Sequence, residues 1–397
     1  MMMNFDQTLD RRNTCSMKWD VAEGELPMGL ADMDFETAPE IKAAILQRAQ
    51  HGAYGYTIVP DAWAQAYQGW WQRRHHWQIQ KDWLLFCTGV VPAISSVIRK
   101  LSTPAEKVLV MTPVYNIFFN SIVNNGRQVL ESPLVYDGEQ YGIDFNDLES
   151  KLADPQTTLM ILCNPHNPIG RLWSREELLR IGELCAKYQV VVIADEIHCD
   201  LTDPQVEYIP FASVSSTCEN LSVTCLAPTK TFNLAGLQTA AIVVANPNLR
   251  HKVWRAINTD EIAEPNVFAV EAAIAAFNHG EVWLDTLRQQ IYANKQHLIE
   301  VLHEALPQLK VIPSKATYLI WIDCHAVSDD SAALAKFLRQ ETGLILNEGL
   351  EYGKAGEAFL RMNIAVSPAR LDEGLQRLIR GIQAFDGIKQ ALKPCRN

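Results

Sequence analysis

Much that would define other protein classes is missing from this sequence. No two of its nine cysteines form a Cys-x-x-Cys pair, and their number is odd. Cys15, Cys87, Cys163, Cys185, Cys199, Cys218, Cys225, Cys324 and Cys395 are scattered along the chain, which excludes a disulfide framework or a zinc ribbon and fits a reducing compartment. Several lie in apolar runs such as "LLFCTG" and "MILCNP", where a thiol serves as a small hydrophobe. Basic stretches are equally scarce. The net charge is −11 and no basic run is longer than the short "RRHH" at Arg73 to His76, so no nucleic-acid footprint is expected. No segment has the apolar length of a membrane span, and "MMMNFDQTLD" lacks a basic region followed by an apolar core. The expectation is a cytoplasmic protein with a small-molecule partner. Repeats, low-complexity tracts and long Pro/Gly/Ser linkers are absent too, so ordered elements must join the domains.

Apolar residues, by contrast, are plentiful. At 397 residues and 48% hydrophobic composition the chain can fill two or three cores. Between about residues 80 and 245, short apolar runs alternate with amphipathic ones: "DWLLFCTG", "VVPAISSVIRKL", "EKVLVMTP", "VYNIFFNSIVNN", "TTLMILCNP", "SREELLRIGELCAKY", "QVVVIADE", "NLSVTCLAP", "TAAIVVANP". This pattern predicts an α/β domain with a mostly parallel sheet buried on both faces. After Pro247 the pattern turns helical, with a long amphipathic segment from Glu281 to about Ala305. The last ninety or so residues mix short strands with helices in an α+β manner. The chain divides accordingly into a large domain over 46–280 and a smaller one built from 1–45 and 281–397.

Ligands of open α/β sheets bind beyond the carboxyl ends of the strands. "LLFC" is followed by Thr88, Gly89, Val90 and Val91 opening a helix, where free N–H groups and the helix dipole suit a phosphate; a plain helix entry is the other reading. Tyr115 follows "LVM" and "TPV", placed to stack on a planar ligand or to begin a helix rich in phenylalanine. "NPHNPIGR" forces a turn that holds the Asn167 amide towards a ligand. "VVVIA" ends in Asp195, whose buried carboxylate needs a cationic or donor partner. His198 belongs to the same turn, and Cys199 beside it is a weaker candidate.

The fifth strand end carries "LAPTKTFNLAG". From Leu221 to Leu249 the only charged side chain is Lys230. Burial lowers a lysine pKa and makes the amine a nucleophile able to form a Schiff base; a lysine that packs its stem and snorkels its head to water is the plainer alternative. Together, a phosphate cradle, a stacking ring, an amide donor, a carboxylate and an isolated lysine describe a site for pyridoxal 5′-phosphate.

At this point the chain resembles the fold type I pyridoxal-phosphate enzymes of the class I/II aminotransferase superfamily over essentially its full length. It is most similar to their cystathionine β-lyase (MalY/PatB, C–S lyase) branch. The resemblance rests on "RRNTCSMKWD", "LPMGLADMDF", "YGYT", "TPVYNIFF", "CNPHNPIGR", "ADEIHCD", "APTKTFNLAGLQ" and "FLRMNIA", in that order. It implies that Lys230 joins the cofactor aldehyde and acts as general base, that Asp195 pairs with the pyridine nitrogen, that Asn167 donates to the phenolic oxygen and that Tyr115 stacks on the ring. It further implies that Arg361 clamps the substrate α-carboxylate, that Ala31 and Asp32 line the entrance with Tyr115 and Asn167 nearby, and that Tyr56 reaches the phosphate of a neighbouring subunit in a homodimer with shared sites. Thr229 and the backbone of Gly89 to Val91 would hold the phosphate.

Two departures from the family stand out. Ala227 and Gln238 occupy places where the superfamily usually has a phosphate-binding serine and arginine. Gly29 and Leu30 replace the branch's usual Trp-Val in "LPMWVADMDF", which would widen the site. The implied activity is carbon–sulfur β-elimination on cystathionine and related cysteine conjugates. An aminotransferase shares its early steps, and a regulatory protein that keeps the cofactor for shape is a third reading, although no helix-turn-helix is attached.

Overall fold

The structure, a computed structural model, describes residues 5–392. Cys395, counted among the scattered cysteines, lies outside the described residues; the other eight are free. Among the described residues no helix is long and apolar enough to cross a membrane.

A seven-stranded sheet forms the centre. Its strands are β1 (Leu84–Cys87), β2 (Lys107–Val110), β3 (Gln128–Glu131), β4 (Thr157–Cys163), β5 (Val191–Asp195), β6 (Ser222–Leu226) and β7 (Ala240–Val243), in the spatial order β1-β7-β6-β5-β4-β2-β3. Neighbours are parallel except at β7, which runs antiparallel to both β1 and β6. Strands β4 to β7 read as continuous Val/Ile/Leu/Ala/Cys runs because helices cover both faces and leave no wet side to favour alternation. Apolar residues on one face of the sheet pack with the strongly amphipathic helix Val90–Leu101; those on the other meet the helix Arg175–Lys187, which begins with a Ser174/Glu177 capping box.

A second, antiparallel sheet contains β8 (Lys310–Val311), β9 (Leu319–Asp323), β10 (Asn347–Glu348) and β11 (Phe359–Asn363), ordered β8-β9-β11-β10. All residues of β9 and β11 are buried. The helices Glu281–Ala305, Ser331–Thr342 and Pro368–Leu392 pack around this part of the chain.

The N-terminal segment threads between the two sheets. Leu26–Pro27 pairs in parallel with Leu344–Ile345. Further along, the Asn363 N–H donates to the Met28 carbonyl at 2.7 Å and the Asp34 N–H to the Ala365 carbonyl at 2.9 Å. Beneath it, the carboxylate of Asp34 is buried among Arg11, Lys18, Arg370 and the Trp19 indole N–H, so the charge buried there is paired. The expected division at 45/46 falls inside the continuous helix Pro39–Gln50, which packs on the helix Ala269–His279. Pro39 is the sign of this in the sequence, since it sits at the start of the helix, where its missing N–H costs nothing. The division at 280/281 coincides with Gly280, between two helices.

Candidate active site

Because β1, β2, β4, β5 and β6 run in one direction, their carboxyl ends share one edge of the sheet. Gly89, Val90 and Val91 from the end of β1 line a cavity of about 260 Å³ there, with Tyr115 beyond β2 and Asn167 beyond β4. Asp195 and His198 after β5, and Thr229 and Lys230 after β6, complete that wall; Ala31 of the N-terminal segment closes it. Apart from Ala31, these residues come from turns and helix starts that follow rigid strands.

Each connection has a local reason for its shape. The turn after β4 is fixed at Gly170, whose φ of +64° suits glycine and where a Cβ would lie 2.5 Å from the Ser314 Cβ and 2.6 Å from the Ala316 carbonyl oxygen. His166 contacts the Pro113 carbonyl at 2.8 Å, joining that turn to the one bearing Tyr115. The one-turn helix Pro228–Thr231 presents Lys230, and its neighbour Thr231 donates to the buried Asp200 at 3.2 Å. Asp200 also takes the Trp70 indole N–H at 3.0 Å and meets His75 at 2.8 Å. Cys199 belongs here, its sulfur within 4.8 Å of the His75 and Asp200 ligand atoms. With the Asp200 oxygens already engaged, the cluster is an anchor for the lysine-bearing turn.

Lys230 and Arg361 dominate the electrostatics. Burial lowers the Lys230 pKa to about 8; the Arg361 charge pushes the same way, while Asp32 and Asp195 oppose it. The amine donates to the Ala31 carbonyl, which also accepts from the Tyr318 hydroxyl at 3.2 Å. Burial raises the Asp195 carboxyl to about 6, although the Ile197 N–H donates to it at 3.2 Å and Lys230 lies near. The same desolvation, helped by the charges on Lys230 and Arg361, depresses His198 to about 3, so its ring is neutral, and its Nδ1 has no partner among the described residues. Tyr115 is raised to about 12, chiefly by burial, and is un-ionised at neutral pH.

Arg361, on β11, is buried with neutral partners. One Nη donates to the Asn167 Oδ1 at 3.1 Å, the other to the Gly29 carbonyl and the Asn347 Oδ1 at 3.0 Å each. Its guanidinium stands 4.9 Å from the Tyr352 ring. Among the described residues it forms no ion pair. Because Asn167 accepts from Arg361 through its oxygen, its amide nitrogen is the atom left to donate elsewhere.

Tyr56 does not join the cavity of its own chain. It is fully exposed, beside Gly236, Leu237 and Phe268 at a separate surface recess. Of the two departures, Gln238 lines the cavity with a left-handed backbone (φ +52°) and Ala227 is packed in the core.

Sequence reading alone passed over several residues that hold the site. Tyr318 and Lys230 share the Ala31 carbonyl. Asn233 donates to the carbonyls of Met33 and Phe35 and accepts from the Met33 N–H, tying the N-terminal segment to the lysine-bearing loop. Asn363 donates to the carbonyls of Leu30 and Asp32. Asn233 and Asn363 lie inside the quoted motifs, yet their service to backbone some 200 and 330 residues away leaves no local signal.

This donor set suits pyridoxal 5′-phosphate. His198 Nδ1 and Thr239 Oγ1 are buried, unpartnered polar atoms of residues lining the cavity, so each awaits a polar ligand atom. A neutralisable lysine, a carboxyl group and free N–H groups at the start of a twelve-residue helix match an aldehyde, a ring nitrogen and a phosphate.

Comparison with known proteins agrees. The chain is 42% identical over 383 residues to cystathionine β-lyase PatB of Bacillus subtilis, covering 95% of this chain and 99% of that protein. It is 32% identical over 391 residues to protein MalY of Escherichia coli, covering 96% and 100%. Cystalysin from Treponema denticola, whose crystal structure contains a pyridoxal 5′-phosphate cofactor, superposes with a TM-score of 0.94 at 30% identity, covering 97% of this chain and 100% of that one. Residues 23–378 match the family described as "Aminotransferase class I and II", and the chain belongs to it.

Proposed function

We propose that this protein is a pyridoxal-phosphate-dependent carbon–sulfur β-lyase that cleaves L-cystathionine and related cysteine S-conjugates. The reaction R–S–CH2–CH(NH3+)–COO⁻ + H2O gives R–SH, pyruvate and NH4+; with cystathionine the thiol is homocysteine. The observation that carries this reading is a lysine amine depressed to about 8 facing the same cavity as Asp195, with the buried Arg361, which forms no ion pair among the described residues, bonded to Asn167 of the cavity wall.

When bound, pyridoxal 5′-phosphate supplies an electron sink for the pair left at the substrate Cα. The rest falls to the protein. Gly89, Val90, Val91 and Thr229 would receive the phosphate, with Gln238 and Thr239 offering neutral donors where an arginine is absent. Asp195 would hold the ring nitrogen protonated, Tyr115 and His198 would pack against the ring, and Asn167 would donate to the phenolic oxygen. Arg361 would take the substrate α-carboxylate with two parallel hydrogen bonds. Lys230, freed by the incoming amino group, would remove the Cα proton. An amine poised near the operating pH suits this task, since enough of it is unprotonated to accept a proton and it stays basic enough to hold one. Closure by the segment at Ala31 and Asp32 would keep water from the carbanion until the thiolate has left.

Incubation with L-cystathionine and no added keto acid tests the assignment. Thiol and pyruvate should appear in equal amounts; amino transfer that depends on a keto acid, with no thiol released, would establish the aminotransferase instead.

The assembly we propose is a two-fold homodimer with shared sites, in which Tyr56 reaches the partner's phosphate. The exposed side chains of Tyr56 and Ile58, at 103% and 79% of full exposure, support it. A cytoplasmic location is favoured by eight unpaired cysteines. In place of the expected cut at 45/46, which would break the helix Pro39–Gln50, the division we propose is a large unit of 39–280 and a smaller one of 1–38 with 281–397.

A further inference from the structure

Arg361 is held by the neighbouring strand that bears Asn347 and by the N-terminal segment at Gly29, and the way they meet has a consequence for substrate recognition. In the second sheet Asn347 stands directly opposite Arg361 in the antiparallel register of β10 and β11, so their side chains project from the same face. Through the parallel pairing of Leu26–Pro27 with Leu344–Ile345, and the Met28 N–H to Ile345 carbonyl bond at 2.8 Å, Gly29 runs alongside Asn347. A Cβ on Gly29 would lie 2.8 Å from the Asn347 Oδ1 and 3.1 Å from its backbone nitrogen, closer than the amide can tolerate. That oxygen and the Gly29 carbonyl are the two acceptors of one Arg361 Nη. The other face of the amide is fixed as well, since Asn347 Nδ2 donates to the Glu351 carboxylate at 3.2 Å.

We infer that Asn347 and Gly29 form a coupled positioning pair that aims Arg361 at the substrate α-carboxylate without neutralising it. A neutral amide holds the guanidinium in place and leaves its charge for the ligand, whereas a carboxylate at the same position would consume that charge. Glycine at position 29 is what allows the amide to reach Arg361. The pair acts through Arg361, so the inference rests on the reading of that residue as the carboxylate anchor.

Two probes without a Cα proton isolate the effect in the holoenzyme: 2-methylalanine, and tert-butylamine, in which a methyl replaces the carboxylate. Their dissociation constants are read from the absorbance of the bound cofactor, and the ratio between them reports carboxylate recognition alone. Asn347→Ala and Gly29→Ala should each weaken 2-methylalanine about tenfold, as expected for loss of a hydrogen bond to a charged group, and leave tert-butylamine unchanged. Asn347→Asp, which keeps the shape of the side chain, should weaken it further by pairing with the arginine. The double variant should be no worse than the more affected single one, because both changes break the same contact. Additive losses, or equal losses for both probes, would overturn the coupling and leave only a packing role. Arg361→Leu separates the two layers of the argument: if it preserves the probe ratio, the carboxylate assignment fails; if it abolishes the ratio while both single alanine variants keep it, the positioning pair fails.

Discussion

A buried cation and a buried carboxyl group in one cavity make two residues sensitive to pH in opposite senses. In the cofactor-free protein the Lys230 pKa lies below its unfolded value, so the stability linked to it is present at high pH and is lost as pH falls through about 8. The Asp195 pKa lies above its unfolded value; its contribution is present below about pH 4 and is lost as pH rises through about 6. Glu196, raised by burial to about 7, loses its contribution over an adjoining range. Asp195→Asn keeps an oxygen for the Ile197 N–H and removes the ionisation. It should therefore stabilise the cofactor-free chain at pH 8 by on the order of 3 kcal/mol and have little effect at pH 4, as urea unfolding at the two pH values would reveal. The same variant should bind the cofactor poorly. Arg361→Leu removes a positive charge that depresses the lysine, so the pH midpoint for cofactor uptake by the cofactor-free protein should rise above the value near 8 expected for the parent. Lys230→Ala should abolish pyruvate release, a loss of at least about a thousandfold, while far-ultraviolet circular dichroism stays unchanged.

Turns set between strands decide where these groups stand. Gly170 holds the loop of Asn167 in a left-handed conformation against Ser314 and Ala316. Gly170→Ala should cost about 1–3 kcal/mol in denaturant unfolding, and because Asn167 also receives the Arg361 guanidinium, KM should rise more than kcat falls. Most strands and helices of the large sheet could be read from the sequence, since a strand buried on both faces leaves a continuous apolar run and a covering helix leaves a 3.6-residue period. Lys230, Asp195 and Asn167 were visible for the same reason: a polar residue ending an apolar run is conspicuous. Asn347, Asn233 and Tyr318 were hidden, because their roles depend on register between distant segments. The helix Pro39–Gln50 shows the same limit in a different form. Its apolar face is shared with the helix Ala269–His279, so no change of composition marks a boundary near residue 45.

Across the whole molecule, the two sheets meet through the N-terminal segment, and the Tyr56 side chain stands fully exposed. If that run completes a neighbour's phosphate site, Tyr56→Ala should weaken cofactor retention on dilution by about tenfold, with kcat preserved at saturating cofactor; equilibrium dialysis at falling protein concentration would measure it. The sequence carried the architecture as a whole, down to the strand ends that frame the cavity. It did not carry the closeness of Gly29 to Asn347, because a glycine in place of a tryptophan reads as empty space until the neighbour that fills it is known.

The resting partner of the Lys230 amine is a main-chain oxygen, at Ala31. Exchanging side chains cannot delete it, so a mutational scan through this stretch reports on the room around the buried Ala31 side chain and overlooks the contact of its carbonyl. Heritable control over that oxygen must then be exerted from afar, by the asparagines and the tyrosine that hold the strip of backbone in place, and sequence drift at the position itself carries no record of its importance.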